Sequence, residues 1–289
     1  MMGRIHNGFR LLQASWNVLR ADRELLVLPI LSFLSSAMLL ALVFFGLFAD
    51  DLIVIRASGS APLPTAFEWI VLGLVTYALS YLTIFFNVAL VCAADDRMTG
   101  GDPTVRSAIA DAWRHSAAIA PWALVSVVVS SVLRLIEERA GIFGQIAAGL
   151  LGIAWALITY LVLPVLVLEG LTVREAIARS KDLFVATWSE TVSGEIGMSI
   201  ITFLAVLLAL PPLLLIGGGG QPELVVLAVA LGIVWVMFVA VVMGALNMVF
   251  RVALYRFASD GEAPEGFEDL DLGHVFPPKR RRGLFGRPA

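Results

Sequence analysis

Six stretches of the chain carry no Asp, Glu, Lys or Arg: residues 25–49, 69–94, 116–133, 140–168, 196–222 and 224–250. A helix that crosses a bilayer needs roughly 20 apolar residues. The pattern predicts an all-α polytopic membrane bundle with six transmembrane helices. They fall at about 25–48, 69–94, 116–133, 142–168, 196–216 and 224–250, within a membrane domain over 1–257. The polar stretch 258–289 has no hydrophobic periodicity and is expected to be a disordered cytoplasmic tail.

Composition agrees with the pattern. Hydrophobic residues make up 59% of the 289 positions and charged residues 15%, whereas a soluble domain carries about 25% charge. Secreted disulfide scaffolds, disordered chains and cytosolic enzymes are thereby excluded. The first apolar run is longer than a signal-peptide core and no A-x-A site follows it, so it is expected to remain as an uncleaved span. A single cysteine, Cys92, rules out an internal disulfide and reads as a small buried hydrophobe.

Charge orients the spans. The flanks 1–24, 95–115, 169–195 and 251–289 hold 17 Lys and Arg, and the flanks 50–68, 134–139 and 217–223 hold 3. The positive-inside rule puts the first group, with both termini, in the cytoplasm. The expected location is the inner membrane.

Short helices precede the hairpins. Residues 104–110 and 172–178 both read T-V-R-x-A-I-A, six matches in seven, and residues 7–16 align loosely with them. Asn7, Thr104 and Thr172 are placed to cap a helix. Thr172 and Glu175 have capping-box spacing, while Asp102-Pro103 offers a rival start. Ile5, Phe9, Leu12, Trp16 and Leu19 form one apolar stripe. Such helices lie in the headgroup layer, so an interfacial helix followed by two spans is expected three times. Coincidence of common pre-span helices is the competing explanation.

No span carries a charge, which argues against an ion-coupled pump or a voltage sensor. Thr76, Ser80, Thr83 and Asn87 share one helical face, with Tyr77 and Tyr81 beside them. That face is a candidate cavity wall; interhelical hydrogen bonding is the ordinary use of such residues. Asn247 invites the same two readings. Gly144, Ala148, Gly152 and Ala156 form a small-residue packing stripe. Pro121, Pro164 and Pro211-Pro212 are expected to kink or interrupt their spans. Gly217–Gly220 lacks the ending of a phosphate loop.

Catalytic patterns are missing. His6, His115 and His274 form no metal spacing, and no G-x-S-x-G elbow occurs. No catalytic residue, cofactor, metal or nucleic-acid partner is expected. Glu169 is expected to cap a helix or pair with nearby basic groups. Lys279, Arg280, Arg281 and Arg282 are candidate contacts for anionic lipid, or simply topology determinants.

Several strings resemble a family of six-span prokaryotic membrane proteins known only as a domain of unknown function. They are Ser15-Trp16 with Arg20, Asp22, Glu24 and Leu25, then Leu28-Pro29; Phe85-Phe86-Asn87 with Ala89-Leu90; Gly101-Asp102-Pro103-Thr104; and Leu133-Arg134 with Glu137-Glu138-Arg139. The resemblance implies a six-span inner-membrane protein and no activity. Pro164, Glu169-Gly170, Ala176 and Arg179-Ser180 more loosely resemble the membrane domain attached to some glycerophosphodiester phosphodiesterases, although Lys181 replaces their usual Trp. No phosphodiesterase domain accompanies them. The expected function is a non-enzymatic membrane organiser, sensor or scaffold, with membrane lipids and a protein partner or second copy as its contacts. A transporter or permease subunit for a lipid-like or amphipathic solute and an enzyme acting on lipid headgroups are the alternatives.

Overall fold

The structure is a computed structural model that describes residues 13–20, 22–48, 65–139, 141–208 and 222–260. Among them it is helical with no strand. The helices are α1 (13–20), α2 (Val27–Val43), α3 (Ala66–Met98), α4 (Val105–Arg114), α5 (Ser116–Arg139), α6 (Gly141–Ile158), α7 (Val162–Leu168), α8 (Val173–Ala186), α9 (Trp188–Leu207) and α10 (Pro222–Asp260). A 3-10 turn, Arg23–Leu26, leads into α2.

Among the described residues, five segments are long and apolar enough to cross a membrane: Glu24–Gly46, Ala66–Met98, Ser116–Arg139, Gly141–Leu168 and Glu223–Asp260. They match five of the six expected spans. In the remaining stretch, 196–222, Met198–Leu207 forms a shorter apolar helix, and 209–221 lies outside the described residues. Their apolar side chains face outward: Phe143 is 87% exposed and Met38 70%. Water would penalise such a surface, whereas hydrocarbon does not.

Several helices overrun their expected bounds: α3 runs on to Met98, α5 to Arg139 and α10 to Asp260, and α9 begins at Trp188. Thr65 caps α3 through a capping box with Glu68, so the helix begins at Ala66, three residues before the first expected position. α10 continues ten residues beyond 250, where Arg251 bonds the Tyr160 carbonyl and Arg256 pairs with Asp95 and, at the exposed end, with Asp260. The first three residues of the expected tail, 258–260, are thus helical, and 261–289 lies outside the described residues.

Burial is concentrated at the arginine-rich ends. The core gathers Ile84–Met98 of α3, all but two residues of α7, and Ala245–Tyr255 of α10, together with Leu19, Leu25 and Leu28. The opposite halves of α3 and α10 leave Ile70, Leu74, Val226 and Val234 exposed. The bundle is thus joined at one end and open at the other.

The short helices dock onto that joined end. Thr104 caps α4 through a box with Ser107, so the chain begins this helix at Thr104 and not at the rival Asp102-Pro103. Thr172 caps α8 as expected, and its two hydrogen bonds hold the Glu175 carboxyl below its ordinary range. Ala108 and Ala112 of α4 are buried, as are the matching Ala176 and Ser180 of α8. In the first segment Asn7 and most of the apolar stripe lie outside the described residues; Leu19 is buried but Trp16 is 40% exposed.

Some of the residues quoted for the family resemblance, Asp22, Glu24, Gly101 and Thr104, lie around one junction. Glu24 accepts the Val105 backbone N–H at 2.8 Å, supplying α4 with a partner from 81 positions away. Gly101 packs so tightly that a Cβ there would stand 2.3 Å from Asp96 Oδ1. Asp22 caps the turn by accepting the Glu24 N–H at 3.1 Å, while its Oδ2 is buried without a partner. The small-residue stripe behaves as packing: Gly144 and Ala148 are buried, Gly152 sits 3.9 Å (as a Cβ) from Leu133 of α5, and Trp122 stacks on Trp155 at 6.0 Å. Ala156 is exposed.

Burial raises the Asp22 carboxyl above its ordinary value; the Glu24 N–H opposes this, Glu24 and Asp102 reinforce it and Arg97 opposes it. Ionised Asp22 therefore costs stability above its folded pKa, and the cost fades as pH falls through that pKa toward the unfolded value of 3.8. The stability of the wild-type chain relative to D22N should rise as pH falls through this window. Thermal unfolding in detergent across that range reads the difference, and a pH-independent gap would contradict the assignment.

Candidate functional site

The polar face of the second span divides into separate environments. Thr76 and Ser80 line an open pocket of about 270 Å³ between α3 and α5, facing Ser126, Val127, Ser130, Ser131 and Arg134. Thr83 is exposed and Asn87 half-buried, and neither lines the pocket. The hydroxyls of Thr76 and Thr83 donate to the carbonyls of Leu72 and Leu79 in their own helix, at 2.8 and 2.9 Å. They are therefore not interhelical ties. Tyr77 makes the crossing contact instead, its hydroxyl donating to the Ala120 carbonyl of α5 at 3.3 Å.

Sequence reading missed the α5 side of this groove. Ser126, Ser130 and Arg134 recur every four residues, as do Thr76 and Ser80 opposite them, and positions four apart share one helical face. The intervening valines masked the ladder as part of an apolar run.

Asn247 is an interhelical tie. Its amide donates to Glu195 Oε1 of α9 at 2.8 Å and approaches Met198 Sδ at 4.0 Å. One turn further, the Arg251 guanidinium lies over the Tyr160 ring, 4.3 Å from its centre. At that distance a cation is attracted by the ring face. Both the Tyr160 hydroxyl and Arg251 Nε are buried without a hydrogen-bond partner.

Tyr160 marks a break that the continuous apolar run 140–168 conceals. The helix stops at Ile158 and restarts at Val162. Pro164 has no N–H for the Tyr160 carbonyl one turn back; Arg251 Nη1 donates to that carbonyl at 3.5 Å. Ser180 of α8 closes the rest. Its hydroxyl accepts the Leu161 N–H at 3.0 Å and donates to the Ile158 carbonyl at 2.8 Å. By contrast, Pro121 sits inside an uninterrupted α5, and Pro211-Pro212 and Gly217–Gly220 lie outside the described residues.

Two ion pairs join different helices near their ends. Arg256 grips both oxygens of Asp95 at 2.6 and 2.7 Å, and also reaches Asp260 at 3.4 Å. Glu169 pairs with Arg179 at 3.1 Å, as expected of it, and accepts from the Tyr255 hydroxyl at 3.3 Å. His115 Nδ1 contacts the Asp111 carbonyl at 2.8 Å. Among the described residues no group of acidic, His or Cys side chains is arranged to hold a metal ion. Lys279, Arg280, Arg281 and Arg282 lie outside the described residues.

Residues 66–266 match the model of a family described as a family of unknown function, DUF6159. No curated protein and no solved structure matches the chain.

Replacing Ser180 by Ala leaves one buried donor and one part-buried acceptor unpaired at the break. Such a loss costs about 1–3 kcal/mol per orphaned group. S180A should lower the melting temperature of the full chain in detergent, whereas S259A, whose hydroxyl bonds only its own helix at Tyr255, should leave it within error. Equal melting of both variants would contradict the role given to Ser180.

Proposed function

The chain belongs to this family of unknown function, and on that premise we propose that it is a six-span inner-membrane protein that organises or senses the bilayer or scaffolds a partner, without catalysing a reaction. One observation carries the reading. Charged and amide side chains around the joined end are spent on holding helices together: Asp95 on Arg256, Glu169 on Arg179, Asn247 on Glu195. A catalyst needs such groups converging on open space.

The sixth span combines Met198–Leu207 with the apolar sequence that follows. The excess of 17 basic residues over 3 supports a cytoplasmic location for the joined end and both termini. Three helix-plus-hairpin units are supported by the matching buried positions Ala108 and Ala176, then Ala112 and Ser180, with Ser15 buried at the aligned place in the first segment.

A second reading, a carrier for a lipid-like or amphipathic solute, draws on the open groove. Its cavity wall is the Thr76–Ser80 part of the polar face, without Thr83 or Asn87.

Topology and role have separate tests. In intact cells expressing a C92A background, an impermeant maleimide should label E138C and spare S107C and R174C; the reverse pattern would overturn the orientation. In a strain lacking the protein, lipidomics and membrane-order probes should change, or a tagged copy expressed at native level should retain a protein partner. An organiser is excluded if neither occurs while the rate of lipid movement between leaflets falls.

A further inference from the structure

We propose that the hydroxyl-lined groove between α3 and α5 binds the phosphate-bearing headgroup of an anionic phospholipid. The site consists of Thr76, Ser80, Ser126, Ser130, Ser131 and Arg134. It rests on the membrane-embedded reading above and is indifferent to the choice between organiser and carrier.

Three observations converge on this ligand. The first is unspent hydrogen-bonding capacity. Ser80, Ser126, Ser130 and Ser131 make no hydrogen bond among the described residues, although each lies within a helix long and apolar enough to span a membrane. Polar groups left unpaired in hydrocarbon are costly, so the groove calls for a polar occupant. Its volume of about 270 Å³ is several times the ~30 Å³ share of one water in the liquid, which leaves room for a headgroup.

The second is charge. Glu137 and Glu138 stand three and four residues after Arg134 on the same helix, the usual geometry for an ion pair. Arg134 forms no ion pair among the described residues and lines the groove instead. A guanidinium presents a planar fork of donors suited to phosphate oxygens, and the hydroxyls supply further donors.

The third is the rim. The groove is open between two helices long and apolar enough to span a membrane, and Leu72 of α3, one turn before Thr76 on the same face, is exposed at 37%. A polar slot between such helices suits an amphiphile: the headgroup enters between the helices while the acyl chains stay along their outer faces. A free phosphate would gain nothing from that rim.

The test is lipid binding by the full chain purified in detergent, titrated with phosphatidylglycerol or phosphatidylcholine and read by native mass spectrometry. The wild type should retain phosphatidylglycerol in preference to phosphatidylcholine. R134Q should weaken that binding at least tenfold, R134K should weaken it less, and R174Q, an exposed arginine on α8, should leave it unchanged. Phosphatidylglycerol with a photoreactive headgroup, added to the wild type, should crosslink to peptides containing 76–80 or 126–134; this arm needs no variant to fold. Equal binding of the two lipids, an R134Q affinity matching the wild type, or crosslinks confined to other segments would overturn the proposal. So would competition by inorganic phosphate as effective as that by the lipid, which would identify a free anion as the ligand. Binding in detergent does not depend on orientation in the cell, so failure here is distinct from failure of the topology.

Discussion

A bilayer interior offers no water to a backbone N–H or C=O, so a spanning chain must pair each of these groups internally. An unbroken helix meets that demand automatically. The segment Gly141–Leu168 does not, because it stops at Ile158 and restarts at Val162. Ser180 and Arg251, from elements 19 and 91 positions away, replace the missing backbone partners. The rest of the joined end is organised around that repair. α8 must dock where Ser180 can reach the break, and α10 must run long enough to bring Arg251 beside Tyr160.

This requirement also accounts for the uneven distribution of burial. Short helix α7 is almost entirely buried, enclosed by α3, α8 and α10. The Asp95–Arg256 and Glu169–Arg179 pairs lie at the periphery of the same region, where partial exposure limits their cost of desolvation. At the other end the helices separate and expose apolar side chains. That difference makes the groove between α3 and α5 possible: two helices held together at one end leave lateral space near the other.

The sequence made the outward-facing structure readable, since hydrocarbon solvation leaves long uncharged runs. Thr172 with Glu175 announced a capping box, and the Gly144–Ala148 spacing announced a packing face. The break at 159–161 left no such trace. Its residues, Thr159, Tyr160 and Leu161, carry no charge to interrupt the apolar run, and Pro164 alone resembles an ordinary kink. Only the three-dimensional placement of Ser180 reveals how the interruption is tolerated. Asp95 and Arg256 were similarly opaque, being 161 positions apart. Half of the groove was visible in Thr76 and Ser80; the four-residue recurrence of Ser126, Ser130 and Arg134 was present in the sequence but diluted by valines. Thr83 and Asn87 were grouped with Thr76 by helical period, which reports a shared face but not how far a neighbouring helix stays alongside it.

Hydrogen–deuterium exchange on the full chain in lipid nanodiscs reads the central constraint directly. If Ser180 and Arg251 complete the backbone pairing of the broken segment, amides across 158–165 should be protected as strongly as those in the continuous interior of α3. Exchange there within seconds, with α3 still protected, would show an unpaired break and contradict the account.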